Sequence, residues 1–347
     1  VYRQMQYIQN KNLGFDRSNV VMMELEAGMY DQYEVAKTEL LKSPSIAAVS
    51  SGNDSPIEIN TGTHSVHWRG KPTTNKESFN LLSGDFGFLE LMQMELVAGR
   101  DFNPAIARDS FNYIINEKAQ QAMGFDDPIG KELSFWGGKG NIIGVVKGFH
   151  SSSLYSPIAP LVIQIRPDWN GTLFIKTQPN QTAAALAALE EVHSRLNPAY
   201  PFDYQFLDKD YAAVYKSEQT VGQLAFIFSL FAILIAGMGL LGLSIFAVQH
   251  RLKEISVRKV LGADIGQLVT LLSRDFVLLM LIAFAVASPI AYFVMENWLG
   301  NFAFRTELGW EVFLFAGGIT LLIAVLTVGF YALKVATVNP IQPLRSD

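Results

Sequence analysis

Three stretches of this chain carry no charged side chain: 221–248 (28 residues), 276–295 (20 residues) and 312–333 (22 residues). A helix rises about 1.5 Å per residue, so about 20 apolar residues cross the ~30 Å hydrocarbon core of a bilayer. A single such run is compatible with a buried helix of a soluble core, whereas three of them between 221 and 333 are read as transmembrane helices. The first run reaches roughly 40 Å and is expected to tilt or to project from the membrane as a stalk. Its Gly237, Gly239 and Gly242 are small enough to let another helix approach closely. Pro289 lies inside the second run and is expected to kink it. No run contains an ionisable residue, which argues against a proton relay, an ion path or intramembrane catalysis. The spans are read as mechanical elements.

Charge divides the chain into two parts. Up to Thr220 there are 19 Lys+Arg and 25 Asp+Glu (19 − 25 = −6), and after it 8 and 7 (8 − 7 = +1). The loop between the first two runs carries Arg251, Lys253, Arg258, Lys259 and Arg274, whereas the next loop has Arg305 against Glu296, Glu307 and Glu311. The positive-inside rule then places the first loop and the tail, with Lys334 and Arg345, in the cytoplasm, and the second loop and everything before Val221 outside it. With no cysteine, the chain has no disulfide, thiolate metal site or cysteine nucleophile. Residues Val1 to Leu13 read as an interface helix, and an upstream membranous portion is expected to precede them.

Between Asn19 and Tyr215 short strand and helix patterns alternate, which predicts an α+β domain. Strands are expected at Val20–Leu25, Ile46–Ser50, Asn60–Arg69 and Asn141–Val146. Leu161–Ile165 and Gly171–Lys176 are expected to pair as a hairpin around 167–170. Helices are expected over Tyr30–Leu41, stopped by Ser43-Pro44, over Asn116–Met123, and over Thr182–Leu196, stopped by Asn197-Pro198.

Several motifs invite a chemical reading that their context denies. Gly124 to Gly130-Lys131 has the wrong spacing for a phosphate loop, and Glu132 stands where a Ser or Thr would hold magnesium. Gly137-Gly138-Lys139-Gly140 reads as a tight turn before a strand. His64 and His67 fall on opposite faces of a strand and so do not share a metal. His150, Ser151 and Ser152 lack a third partner and a nucleophile elbow.

The basic loop is more informative. Between Arg251 and Ala263 the apolar Leu252, Ile255, Val257 and Val260-Leu261 alternate with charge, which predicts a short amphipathic helix ending near Gly262. Asp264 is placed to cap the next helix. A lipid anchor accounts for the cations, but Glu254, read as a buried acid among them, points to a protein partner.

Lys253-Glu-Ile-Ser-Val-Arg-Lys-Val-Leu-Gly-Ala263 closely resembles the cytoplasmic-loop signature of FtsX-like permeases, the membrane subunits of MacB/LolCDE-type ABC transporters. The tail Ala336-Thr-Val-Asn-Pro-Ile-Gln-Pro-Leu-Arg345 resembles that family's terminal signature. Gln6–Phe15, Gly99-Arg-Asp-Phe102, Asn116-Glu117, Pro128-Ile-Gly-Lys131 and Ile143–His150 resemble the MacB-type periplasmic core domain. The resemblance covers essentially the whole chain. It implies an interface or stalk segment (1–18), a periplasmic core domain (19–217) and a permease domain (218–347) whose coupling loop spans 249–275. The expected fold class is thus an α+β extracytoplasmic domain plus an α-helical membrane domain of three transmembrane helices.

The resemblance also implies a non-catalytic permease of the bacterial inner membrane, without a cofactor, whose outer domain moves when a separate ATPase hydrolyses ATP. Glu254, Arg258, Lys259, Gly262 and Ala263 are the implied ATPase-docking residues. The expected partners are an ABC ATPase, a second copy or a homologous permease, membrane lipids, and a periplasmic or outer-membrane protein; nucleic acid is not one. The family has four spans per unit and three occur here, so the chain is read as the second half of a longer permease or as a unit without its first span. The rival reading is a membrane-anchored sensor or assembly scaffold that uses no ATPase.

Overall fold

The computed structural model describes residues 4, 7, 13–151, 157–250, 254, 257, 258, 261, 263–300 and 305–336. These form two compact units, one of Met5–Ser217 and one of Val1–Gln4 with Glu218–Asp347.

The first unit is an α+β domain built as two lobes with separate cores. Lobe one is an antiparallel sheet in the order β12 (Gln205–Phe206), β1 (Val20–Glu24), β11 (Thr172–Thr177), β2 (Ile46–Gly52). The helices α1 (Ala27–Asp31), α2 (Tyr33–Leu40) and α5 (Thr182–Leu196) supply Met29, Leu40, Leu189 and Val192 to a core with Val21, Val49 and Ile175. Alternation along β1 and β11 sends every second side chain into this core, as a pleated strand requires.

Lobe two continues in the order β5 (Phe79–Gly84), β10 (Leu161–Ile165), β7 (Tyr113–Asn116), β9 (Gly138–Val146), β8 (Glu132–Phe135), β4 (His67–Trp68). β3 (Gly62–Thr63) pairs with β5, and β6 (Leu96–Gly99) with β9. The β5–β10 and β7–β9 pairs are parallel. Its core holds Phe79, Leu81, Ile115, Val145 and Val162, together with Ala119 and Met123 of α4 (Glu117–Met123).

The lobes share one strand pair, Gly52 opposite Gly84. The backbone is crowded there: a Cβ on Gly84 would lie 2.7 Å from Cγ of Phe88, in α3 (Phe88–Leu91), and one on Gly52 would lie 3.0 Å from the Ser83 carbonyl. Polar side chains close the seam instead. Asn170 donates to Ser51 Oγ (3.0 Å) and accepts from Ser83 Oγ (2.7 Å). Asp85, at the end of β5, receives Tyr33 Oη (2.7 Å) and the Lys37 ammonium, both from α2. Beside them Phe88 meets Phe174 edge-on, centroids 5.5 Å apart.

Three local expectations are corrected. β10 and β11 do not form a hairpin. β10 lies between β5 and β7, and β11 between β1 and β2. Every residue of β10 is buried, so it sits as a central strand flanked on both sides, and the 167–169 turn passes from one lobe to the other. The helix expected over 30–41 is interrupted at Gln32 (φ −114°, ψ 34°) and begins earlier, at Ala27. The tight turn lies one residue ahead of the glycine cluster: Trp136 (φ 48°) and Gly137 (φ 80°) join β8 to β9, and Gly138 and Gly140 are already in the strand. At Gly140 a Cβ would overlap the Phe111 carbonyl.

The second unit contains α7 (Lys216–His250), α8 (Ile265–Leu299) and α9 (Trp310–Ala336), which carry the three uncharged runs. Each is long and apolar enough to cross a membrane, with mean hydropathy of 2.6, 2.4 and 2.4. α8 continues as one helix through Pro289. α8 and α9 pack so closely that a Cβ on Gly317 would stand 2.6 Å from the Phe284 ring, whereas Gly318 faces open space. Gly317→Leu is therefore expected to cost about 1–3 kcal/mol through overpacking. Thermal unfolding in detergent should show a lowered midpoint for Gly317→Leu and none for Gly318→Leu; equal midpoints would refute the close packing.

Candidate functional site

The loop between α7 and α8 is helical at Glu254, Val257 and Arg258. Arg258 reaches back one turn to Glu254, Nη2 to Oε1 2.8 Å, with both side chains about half exposed (45% and 49%). Glu254 is thus not the buried acid expected from sequence. At (i, i+4) on a short helix its natural neighbour is Arg258, and the pair remains in contact with solvent.

The Leu261 amide donates to the Val257 carbonyl (3.0 Å), and the Ala263 amide to the Arg258 carbonyl (3.0 Å). The second bond reaches back five residues, the closing bond of a Schellman-type helix end. Asp264 then caps α8, accepting from the Gly266 amide (3.2 Å). The chain therefore turns from the short helix into α8 within a few residues. Leu261, at the turn, is 80% exposed, and Val257 one helical turn before it is also exposed. Sequence periodicity placed both on an apolar face and could not tell which side chains of that face lack cover. Lys259 and Gly262 lie outside the described residues, as do Arg251 and Lys253 and the terminal signature beyond Ala336.

On α7, a Cβ at Gly237, Gly239 or Gly242 would meet nothing within 4 Å. Among the described residues, the three glycines therefore face open space.

In the α+β domain, the recognisable motifs hold the backbone. Gly99 has φ 74°, and a Cβ there would lie 2.2 Å from the Ile143 carbonyl oxygen. Arg100 forks onto both carboxylate oxygens of fully buried Asp109. That guanidinium, with the Asn103 amide and Asn112, holds the Asp109 carboxyl below the ordinary carboxylate range. Asn116 caps α4 through Ala119 N (2.8 Å) and also accepts from Leu161 N, while Glu117 accepts from Gly148 N (3.0 Å). Leu13 and Phe15 come to the end of the 143–150 segment: His150 N donates to the Leu13 carbonyl and Phe15 stacks edge-on with Phe149.

The candidate catalytic groups remain apart. His64 and His67 are exposed, and the His64 ring bonds the Lys76 carbonyl. His150 and Ser151 are buried, while Ser152 lies outside the described residues. No group of three or more metal-type ligands occurs among the described residues.

Two family models divide the chain between them. The MacB-like periplasmic core domain matches residues 4–192, and the FtsX-like permease C-terminal domain matches residues 226–340. The chain is an FtsX-like permease with a MacB-like periplasmic core domain. It is 24% identical over 338 residues to the Bacillus subtilis ABC transporter permease YknZ, covering 91% of this permease and 84% of YknZ. Among solved structures it is similar to the periplasmic region of MacB from Actinobacillus actinomycetemcomitans, with 15% identity, TM-score 0.42, and 60% of this permease and 98% of that chain covered. It is also similar to the extracellular domain of YknZ from Gram-positive bacteria, with 12% identity, TM-score 0.39, and 54% and 97% covered. By its two family matches and its likeness in sequence to YknZ, this permease belongs to the ABC transporter permeases of the MacB/FtsX type.

Proposed function

We propose that this permease is a non-catalytic transmitter: a separate ABC ATPase docks on the 249–275 loop, and its cycle moves the α+β domain on the outer side of a bacterial inner membrane. The observation that carries this reading is the short helix, closed at Ala263 and abutting the capped start of α8, which presents exposed Leu261 between two membrane-length helices. The Ala263 bond to Arg258 and the Asp264 cap bring that helix to within a few residues of α8, which suits passing its displacement on. The three apolar runs offer no charged group with which to conduct an ion or proton, which suits mechanical work. The open glycine face of α7 suits a helix from a second copy or a homologous permease. The moving domain would act on a lipoprotein, peptide or drug, or on a protein that controls the cell envelope.

Orientation and docking are tested together. Because the chain has no cysteine, single cysteines at Ser256 and Glu307 give clean signals with a membrane-impermeant thiol reagent. Glu307→Cys should label in intact cells and Ser256→Cys only after lysis, and the ATPase should co-purify with the chain. Labelling of position 256 from outside would overturn the topology. Correct labelling with no ATPase retained under any nucleotide condition would favour a sensor or scaffold.

A further inference from the structure

The turn joining β8 to β9 carries a residue that turn chemistry does not select. Trp136 (φ 48°) and Gly137 (φ 80°) fill its two central positions, both left-handed. Such a turn favours Asn, Asp or Gly at the first of them, and a bulky side chain is strained there. A strained position that the fold does not need points to a use for the ring. Trp136 is 48% exposed. It stands edge-on to Trp169 of the 167–169 turn, centroids 5.3 Å apart, and edge-on to Phe135 (6.0 Å), which packs on Tyr113 (5.2 Å). The Arg166 guanidinium lies 4.9 Å from the centre of the half-buried Trp169 ring. Asp168 stands 3.6 Å from Arg166, and both reach solvent.

The sheet places an unused donor beside these rings. Gln164 of β10 lies between Ser83 of β5 and Tyr113 of β7, so the three side chains share one face. The 166–170 turn is seated on that face: Ser83 Oγ lies 3.1 Å from the Arg166 carbonyl, and Trp169 packs against the core that holds Tyr113 and Phe135. Gln164 is 7% exposed, and its Nε2 has no hydrogen-bond partner. A buried amide donor left unpaired is costly, and an apolar side chain would suit the same core. The donor is accounted for by an acceptor that arrives with a ligand.

We propose that Trp136, Trp169, Arg166, Asp168 and Gln164 form a binding site for a chain of N-acetylated amino sugars. The flat C–H face of a pyranose ring stacks on an exposed indole. The planar guanidinium and carboxylate of Arg166 and Asp168 match neighbouring sugar hydroxyls, and the acetamido carbonyl supplies the acceptor that Gln164 Nε2 lacks. A tilt of the Trp169 ring opens the way to that donor. A purely apolar ligand would use the rings and leave Gln164 unmet. Only the source of the glycan, the cell wall, rests on the outward orientation proposed above; the binding chemistry does not.

The test uses the full chain in lipid nanodiscs and titration calorimetry with two trisaccharides of the same linkage, one of N-acetylglucosamine and one of glucose. The unsubstituted chain should bind the acetylated trimer about tenfold more tightly than the glucose trimer. Trp136→Asn, which gives the turn its favoured Asn-Gly pair, should weaken the acetylated trimer about tenfold while the thermal midpoint holds or rises. Gln164→Leu, which removes the unmet donor, should fold at least as well and lose the preference between the two trimers. No binding of the acetylated trimer by the unsubstituted chain, equal affinity for the two trimers, or unchanged affinity in Trp136→Asn would overturn the site. So would a Gln164→Leu variant that keeps the preference. None of these measurements needs the ATPase, so they stand or fall apart from the transmitter reading.

Discussion

Asp85→Ala should destabilise the α+β domain by about 3 kcal/mol, because it strands a cation whose partner is gone. Asp85 is 7% exposed, and it is the shared acceptor for Tyr33 Oη and the Lys37 ammonium. Removing one member of a buried pair costs about 3–5 kcal/mol; the Lys37 side chain keeps 19% exposure, which puts the effect at the lower end. Strand pairing across the seam is short, the Gly52–Gly84 pair flanked by the Asp85 N–Ser51 O and Asn53 N–Ser83 O bonds, and offers little to compensate. Adding Lys37→Met should return a large part of the loss, because the stranded charge is then removed as well. The measurement is thermal unfolding of the full chain in detergent followed by near-ultraviolet circular dichroism. Asp85→Ala with an unchanged midpoint, or a double variant no better than Asp85→Ala, would show that the seam is held by something else.

Glu254→Lys should weaken ATPase docking by about 2–5 kcal/mol, the usual cost of disrupting a charge pair that an interface buries. In the free chain the Glu254–Arg258 pair is exposed, so the substitution should cost the permease itself only a few tenths of a kcal/mol. The added cation strengthens the positive-inside bias, so insertion should be unaffected. Leu261→Asp is the companion test, since it alters the exposed apolar tip and leaves the ion pair intact. Both variants should insert normally, retain less ATPase on purification and lose substrate-stimulated hydrolysis. A lipid anchor predicts the opposite for Glu254→Lys, because another cation holds anionic headgroups more tightly. Wild-type retention by both variants would reject docking at this helix.

The three long apolar helices were legible because a 20-residue run without charge has few other uses. Thr182–Leu196 and the Asp264 cap were legible because their signals are local: Asn197-Pro198 follows the first, and a carboxylate at the right step precedes the second. Strand pairing was not. β10 and β11 are neighbours in sequence with a turn between them, and nothing within either reveals that each already has two other partners. Glu254 was misjudged for a related reason. Apolar and charged positions alternate around it, but burial depends on what lies across from the helix, and in this chain solvent does. The Gln4 side chain accepts from the Thr306 amide (2.8 Å), and no pattern at either end announces this contact between residues 302 apart.

The order of strands in the α+β domain bears on its synthesis. Lobe two runs without interruption from Gly62 to Ile165, whereas lobe one takes β1 and β2 from before that stretch and β11, α5 and β12 from after it. A chain growing from its N-terminus can therefore complete the later-numbered lobe first, while β1 and β2 wait without β11, the strand that lies between them. Two unpaired strands, one of them nearly all valine and methionine, are a hazard for aggregation during that interval. The long apolar α7 begins directly after α6 (Leu207–Val214) and Tyr215, so the first lobe closes only as that helix is being made.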